Sequence, residues 1–173
     1  MSRAFVKESD EGADAAPLPE RQIPAHPNYV TARGLDQLQA RVRDLVASCE
    51  ALKPAVADDT GAKDKLRALE RDLRYYRAQL ERAELVAAAP QHDTVHFGAQ
   101  VTVRNEAGVQ QRLRIVGDDE ADAAAGDISW ASPLARALIG ARVGDCVAWR
   151  PPANSATNSA RESEIEILAL TYA

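Results

Sequence analysis

Two adjacent carboxylates, Asp58 and Asp59, lie in a turn-like stretch between two helical patterns and are the strongest candidates for chemistry. Carboxylate oxygens are the ligands that Mg²⁺ prefers, and proteins often hold this ion through only one or two carboxylates. An Asp placed before Thr60, at the start of a helix, also caps that helix and interacts favourably with its dipole. The sequence favours the capping role, and metal coordination is the alternative.

The remaining polar residues offer little for intrinsic catalysis. His92 and His96 have no cysteine or further histidine near them in sequence, so we expect structural roles and not a metal site. Cys49 and Cys146 are far apart and lack metal-ligand spacing, which fits a reducing cytoplasm. No catalytic serine set or glycine-rich phosphate loop is visible. We therefore expect a protein that is not an enzyme and has no cofactor or metal ion of its own.

Basic side chains are concentrated in the second helical stretch. They suit attraction to the phosphates of a nucleic acid, but an ordinary solvated helix surface explains them better. The candidates are Lys63, Lys65, Arg67, Arg71, Arg74 and Arg77. The chain contains 21 Lys and Arg and 26 Asp and Glu, which gives a net charge of −5. Duplex DNA is therefore a poor candidate for the main partner.

Two heptad patterns must position these residues. Apolar residues recur at alternating spacings of three and four over residues 35–56 and again over residues 66–87. Pro54 and Gly61 lie between the two patterns, where the chain must reverse. The patterns predict an antiparallel helical hairpin with arms of about 22 and 26 residues, or roughly 33 and 39 Å. The short turn favours pairing within one chain and hence a monomer, and a dimerising coiled coil is the alternative.

Residues 1–28 are acidic and rich in proline, a composition that cannot bury enough apolar surface to offset chain entropy. We predict a disordered tail there. The sequence contains no apolar stretch typical of a signal peptide or of a membrane span. We therefore expect a cytoplasmic protein without a membrane partner.

The second half of the chain changes to the two-residue alternation of strands. A short helix is predicted over residues 134–139, with Ser132 at its N-cap and Pro133 at its first position. The predicted strands are residues 95–103, 113–117, 146–149 and 164–170. These elements predict an antiparallel sheet packed on one helix. The fold class is therefore α+β, with a finger over residues 29–88 and a C-terminal domain over residues 89–173.

Residues 132–145 read SPLARALIGARVGD and resemble the signature S-P-x-A-x-A-L-x-G-x-x-x-G-D of Gre-factor C-terminal domains. Similar features occur in family order at residues 65–75, 97–101, 114–117 and 119–120. Residues 29–35, which read YVTARGL, resemble the start of the first helix in GreB in particular. Over residues 29–173 the chain resembles the GreA/GreB family of transcription elongation factors.

The resemblance implies a coiled-coil finger joined to an FKBP-like domain. In this family the globular part docks at the rim of the secondary channel of RNA polymerase, and the finger enters the channel. Acidic residues at the finger tip then help to hold a magnesium ion in the polymerase active site, where the polymerase cleaves backtracked RNA. Contact with nascent RNA would occur only inside the elongation complex, and contact with DNA would be indirect.

The resemblance also assigns roles to particular residues. Asp58 and Asp59 correspond to the tip, and Lys63, Lys65, Arg67, Arg71 and Arg74 resemble the face that Gre factors turn toward RNA. The polymerase-docking candidates are Ser129, Trp130, Ser132 and Pro133, with core packing as the alternative for Trp130. Ala131 stands where the family often carries an acidic residue.

The tip departs from the family pattern G-D-x-x-E-N-A-E-Y. Residues 57–62 read ADDTGA, and the arms are shorter by about six residues each, or about 9 Å. The expected function is an elongation regulator that inserts its coiled coil into the channel and modulates or stimulates RNA cleavage. The short tip favours the alternative of a cleavage-inactive Gre antagonist or Rnk-like regulator. A peptidyl-prolyl isomerase is disfavoured because few aromatic residues could line its pocket and fold alone does not carry activity.

Overall fold

The computed structural model describes residues 18–87, 93–150 and 163–172. Its first part is a helical hairpin of α1 (Ala32–Leu52) and α2 (Thr60–Glu81), joined through a 3-10 turn at Lys53–Ala57. The predicted hairpin is confirmed. None of the helices in these described ranges combines the length and apolar character that crossing a bilayer requires.

The two heptad seams pack against each other within the hairpin. Leu45 and Cys49 of α1 and Leu73 of α2 are buried at its centre. Partly buried residues of both helices flank this centre, namely Val42, Val46, Leu66, Leu69 and Tyr76. The heptad pattern therefore identified the face of each helix that packs against the other helix, but not Ala62, Tyr75 and Gln79, which are also buried on α2.

The second predicted arm is too long, and the first has about the right length but is placed too far toward the tip. The helices contain 21 and 22 residues, so Val56 falls in the 3-10 turn and residues 83–87 lie beyond α2. The amide of Asn28 donates to the carbonyl of Gln79 over 2.8 Å, and this is the carbonyl that Ala83 would bond if the helix continued. A side chain from outside the helix thus ends α2.

A two-stranded parallel sheet, which the sequence did not predict, follows at the base of the hairpin. It pairs β1 (Asn28–Val30) with β2 (Ala83–Leu85). Of the predicted tail over residues 1–28, residues 1–17 lie outside the described residues. For residues 18–28 the prediction of disorder is wrong, because this segment makes polar and cation–π contacts that do not depend on apolar burial.

The second part of the structure is a five-stranded sheet. Its strands are β3 (Ala99–Asn105), β4 (Gln110–Val116), β5 (Asp127–Ser129), β6 (Cys146–Trp149) and β7 (Ser163–Tyr172). They lie in the order β5-β4-β3-β7-β6. We call the described residues 93–150 and 163–172 the sheet domain. Neighbouring strands are antiparallel except β4 and β5, which run parallel. The prediction of a wholly antiparallel sheet is therefore wrong at this edge.

A tight loop explains the parallel pair. After β4 the chain passes through a 3-10 turn at Asp118–Glu120, and backbone hydrogen bonds of 2.9 Å join Asp122 and Asp127 in both directions. Gly126 has a φ of +79°, and a Cβ there would lie 2.5 Å from the carbonyl oxygen of Arg112. Only glycine fits this close approach, which returns the chain to the start of β4.

The core of the sheet domain lies between one face of the sheet and helix α3 (Pro133–Leu138). On the strands its buried residues alternate as the sequence predicts, namely Ala99, Val101, Val103, Leu113, Ile115, Ile165 and Ile167. Val95, which precedes β3, and Ala135 and Leu138 of α3 complete the core. The hydroxyl of Ser132 accepts the backbone N–H of Ala135 over 3.2 Å, so the predicted N-cap is present. The α+β fold class is confirmed.

Candidate functional site

The tip of the hairpin carries the two predicted acidic candidates, and both are exposed. The carboxylate of Asp59 accepts the backbone N–H of Gly61 over 2.8 Å and forms the N-cap of α2. Asp58 follows the 3-10 turn, and its backbone N–H bonds the carbonyl of Ala55. Asp59 thus has a structural role, while Asp58 contributes an exposed carboxylate at the end of the rod.

A complete metal site is not assembled in the described part of the chain. Within residues 18–87, 93–150 and 163–172, no group of three or more His, Cys, Asp or Glu side chains could hold a metal ion.

The four docking candidates lie together between the end of β5 and the start of α3. Ser129 donates its hydroxyl hydrogen to a carboxylate oxygen of Asp118 and accepts the backbone N–H of Ala131 over 3.0 Å. Ser132 caps α3, and Pro133 is exposed at the first helical position. Pro133 is therefore the only one of these four candidates that is exposed.

Trp130 is packed and half-buried. Its ring lies 4.9 Å from the ring of Tyr29 and 5.3 Å from that of His26, measured between centroids. Its Nε1 is buried and has no hydrogen-bond partner in the described part of the chain. These ring contacts agree with core packing, the alternative to a docking role for Trp130.

The predicted basic face extends along α2 and is interrupted by acidic partners. Arg71 pairs with Asp72 at 3.0 Å and Arg67 with Asp64 at 3.7 Å. Lys63 and Lys65 are exposed near the tip. Local carboxylates therefore balance part of the positive charge, as in an ordinary helix surface.

A segment that the sequence did not predict lies against this face. We call residues 20–26 the N-terminal strap. Glu20 forms an ion pair with Arg74, and the guanidinium of Arg21 lies 3.7 Å from the ring centroid of Tyr75. One feature of the sequence indicates that another segment packs on this face. Tyr75 and Tyr76 are adjacent in a helix, so they cannot both face the same seam, and one of the two rings needs another partner.

The acidic 3-10 turn at Asp118–Glu120 joins the sheet domain to the base of the hairpin. Each of its three carboxylates bonds a residue of the first part of the chain, and the partners are His26, Thr31, Tyr75 and Gln79. The sequence did not predict these contacts. Long-range polar pairs have no periodic spacing by which the sequence could indicate them.

Asp127 adds an ion-pair cluster beside this joint. Its carboxylate accepts from Arg33 at 2.7 Å and from Arg114 at 2.8 Å, and its side chain is 6% exposed. The hydrogen bond from Arg114, followed by the one from Arg33, holds the pKa of Asp127 below its usual value. The cluster therefore remains charged at neutral pH and links α1 to the sheet.

Comparison with known proteins gives matches along most of the chain. Residues 90–168 match the family described as "Transcription elongation factor, GreA/GreB, C-term". A transcription elongation factor GreB of Neisseria meningitidis serogroup B is 35% identical over 160 residues, covering 84% of this chain and 94% of its own. The GreB of Pasteurella multocida is 36% identical over 135 residues, which cover 70% of this chain and 85% of that GreB.

Solved structures give a weaker likeness. GreA factor homolog 1 (Gfh1) of Thermus thermophilus is 22% identical, with coverage of 84% of this chain and 99% of that chain and a TM-score of 0.38. A TM-score this low adds no argument to the sequence matches.

Proposed function

Because the chain belongs to the GreA/GreB family of transcription elongation factors, we propose that it binds RNA polymerase and inserts its helical hairpin into the secondary channel. Members of this family act through the polymerase and are not themselves enzymes. The observation that carries the proposal is the hairpin, a two-helix rod of 21 and 22 residues closed by a 3-10 turn. Its thickness is that of two packed helices, and its length is about 32 Å.

The proposed chemistry at the tip belongs to the polymerase. A magnesium ion in the polymerase active site would gain an oxygen ligand from Asp58, whose side chain is exposed. Asp59 can assist, because a carboxylate that accepts one backbone N–H has further lone pairs available. The protein needs no metal ion or cofactor of its own for this role.

A second candidate function is competition for the channel without stimulation of cleavage. It is favoured by the short tip, in which one of the two carboxylates already caps a helix. A rod that stops about 9 Å short of the family's length would occupy the channel and leave the ion unsupported. Such a protein would antagonise authentic Gre factors.

The partners follow from the same proposal. The basic residues of α2 would face the 3′ segment of nascent RNA within the elongation complex, with Lys63 and Lys65 nearest to the tip. Pro133 would contact the polymerase rim. A monomer is supported by Leu45, Cys49 and Leu73, which fill the seam within one chain. Binding to polymerase would place the protein in the cytoplasm.

Transcript cleavage in stalled, backtracked elongation complexes tests the proposal. Wild-type protein is compared with Asp58→Ala, and with Glu84→Ala as a control at an exposed acidic residue at the hairpin base. Short 3′ RNA fragments with wild type and the control, but not with Asp58→Ala, would support cleavage stimulation. If no variant yields fragments and all block cleavage by an authentic Gre factor, the antagonist function is supported. Failure of both competition and polymerase binding would exclude channel insertion.

A further inference from the structure

We propose that the acidic turn Asp118–Glu120 fixes the direction of the hairpin relative to the sheet domain, with Asp119 and Glu120 as positioning residues. This inference rests on the proposed function, because a rod that enters a narrow channel must point along it while the other domain docks. The turn belongs to the sheet domain, but its side chains bond both helices of the hairpin.

Glu120 completes the first turn of α1 from a distance of 89 residues in sequence. Its carboxylate accepts the backbone N–H of Thr31 over 2.9 Å and the hydroxyl of Thr31 over 2.6 Å. The same hydroxyl accepts the backbone N–H of Gly34 over 3.0 Å. In a capping box, an acidic residue three positions after the N-cap bonds the N-cap N–H. Here that position is Gly34, and the sheet domain provides the acid.

Gly34 provides the space that this arrangement needs. A Cβ at this position would lie 1.9 Å from Oε1 of Glu120, far inside any allowed contact. Glycine weakens a helix relative to alanine, so helix formation does not favour it here. The missing side chain instead lets a carboxylate from the other domain reach the helix end.

Asp119 holds the second helix. It accepts from the hydroxyl of Tyr75 over 3.1 Å and from the side-chain amide of Gln79 over 3.0 Å. Gln79 is 1% exposed and Tyr75 is 9% exposed. Burial, and then the charge of Asp119, raise the pKa of Tyr75 to about 12, so the phenol keeps its proton as a donor at neutral pH.

These contacts favour one direction of the hairpin over others. Apolar contacts are non-directional, whereas a buried donor or acceptor that loses its partner is costly. A rotation at the joint would unpair Thr31, Tyr75 and Gln79 together. At the end of a rod about 32 Å long, a rotation of about 10° moves the tip by about 6 Å, and ligand distances tolerate only about 0.2 Å.

The distance between the tip and the sheet domain in the free, full-length protein tests this inference. Spin labels are placed on Ala57→Cys at the tip and on the native, exposed Cys146. Cys49 is buried, and burial raises the pKa of its thiol, so it reacts poorly with the label. Electron–electron double resonance then reports the distribution of this distance.

We expect a narrow distribution for wild type and at least a twofold broader one for Asp119→Ala/Glu120→Ala. Gly34→Ala, which keeps both acids but displaces Glu120, should broaden it likewise. Asp122→Asn is the control, because its carboxylate bonds Ala124 within its own loop. An unchanged width in the double variant and in Gly34→Ala would overturn the inference. Circular dichroism verifies that each variant retains its helices.

A polymerase experiment separates positioning from general stability. A photoreactive residue at Ala57 reports whether the tip reaches the polymerase active site, while the dissociation constant for polymerase reports docking. The double variant should lose at least fivefold in tip cross-linking and change in affinity by less than about twofold. Equal fold losses in tip cross-linking and in affinity for polymerase would overturn a positioning role. If wild type does not bind polymerase at all, the proposed function fails, and the distance distribution still decides the inference.

Discussion

The guanidinium of Arg21 lies 3.7 Å from the ring centroid of Tyr75 and 3.9 Å from the carboxylate of Asp72. A residue ahead of the first strand thus reaches a helix that begins almost forty positions later. The N-terminal strap is held to α2 by this cation–π contact and by the ion pair between Glu20 and Arg74. The ion pair is exposed and contributes little, whereas Arg21 lies partly buried on the buried ring of Tyr75.

Arg21→Ala should lower the free energy of unfolding by about 0.5–2 kcal/mol, since a cation–π contact contributes about 0.5–1 kcal/mol at exposed sites and about 2 kcal/mol when desolvated, and this one is partly buried. Urea denaturation measures the change, and hydrogen exchange should show faster exchange over residues 20–26. Gln22→Ala is the matched control, because Gln22 is an exposed neighbour in the same strap. Equal effects of the two substitutions would contradict the assigned contact.

Gly34→Ala should destabilise the protein by about 1–3 kcal/mol, as overpacked positions do, although alanine favours helices. A double-mutant cycle with Glu120→Ala provides the decisive measurement. Removing the carboxylate relieves the clash, so the loss for the double variant should be smaller than the sum of the single losses. Strict additivity would show that the two residues do not share this space.

Asp127→Asn should lower the free energy of unfolding by about 1.5–3 kcal/mol at pH 7, the range for hydrogen bonds to charged groups. The pKa of Asp127 is lowered in the folded state, chiefly by the hydrogen bond from Arg114. Its stabilising effect is therefore complete above the unfolded value of about 3.9 and is lost as the pH falls through the folded pKa.

Urea denaturation of wild type and Asp127→Asn between pH 7 and pH 3 measures this dependence. The difference in free energy of unfolding between wild type and Asp127→Asn should be constant near neutral pH and shrink below about pH 4. A difference that grows on acidification would reverse the assigned direction of the pKa shift.

Asp59→Ala should lower the free energy of unfolding by about 1 kcal/mol because the α2 cap is lost. Asp59→Ser should retain most of the stability that the cap contributes, because serine also caps helices. Asp58→Ala should change stability by less than about 0.5 kcal/mol, as for an exposed surface position. Thermal or urea unfolding provides the comparison. If Asp59→Ser retains stability but reduces transcript cleavage, Asp59 contributes a carboxylate beyond its role as a cap.

Periodic features were predictable from the sequence. The heptads identified the residues at the centre of the hairpin seam, Leu45, Cys49 and Leu73, because helix geometry repeats them on one face. They missed Ala62, Tyr75 and Gln79, which are buried elsewhere on α2. Ser132 and Pro133 indicated the start of α3 through local chemistry alone. The tip candidates Asp58 and Asp59 were located correctly at the turn.

Contacts between distant polar residues were not predictable. Glu120 and Thr31 are 89 residues apart, and Asp119 and Gln79 are 40 apart, so no local pattern links them. The same limit explains the missed end of α2, where Asn28 takes the carbonyl of Gln79. The disorder predicted for residues 18–28 assumed that order requires apolar burial, whereas Arg21 orders its segment by lying on a tyrosine.

The place of β7 in the sheet has a consequence for synthesis of the protein. This strand pairs with β3 on one side and with β6 on the other, so the sheet stays divided until residues 163–172 leave the ribosome. The hairpin needs only residues 32–81 and can close much earlier. A nascent chain arrested between these points would carry a finished rod beside exposed Val101 and Ile115, a suitable substrate for chaperones.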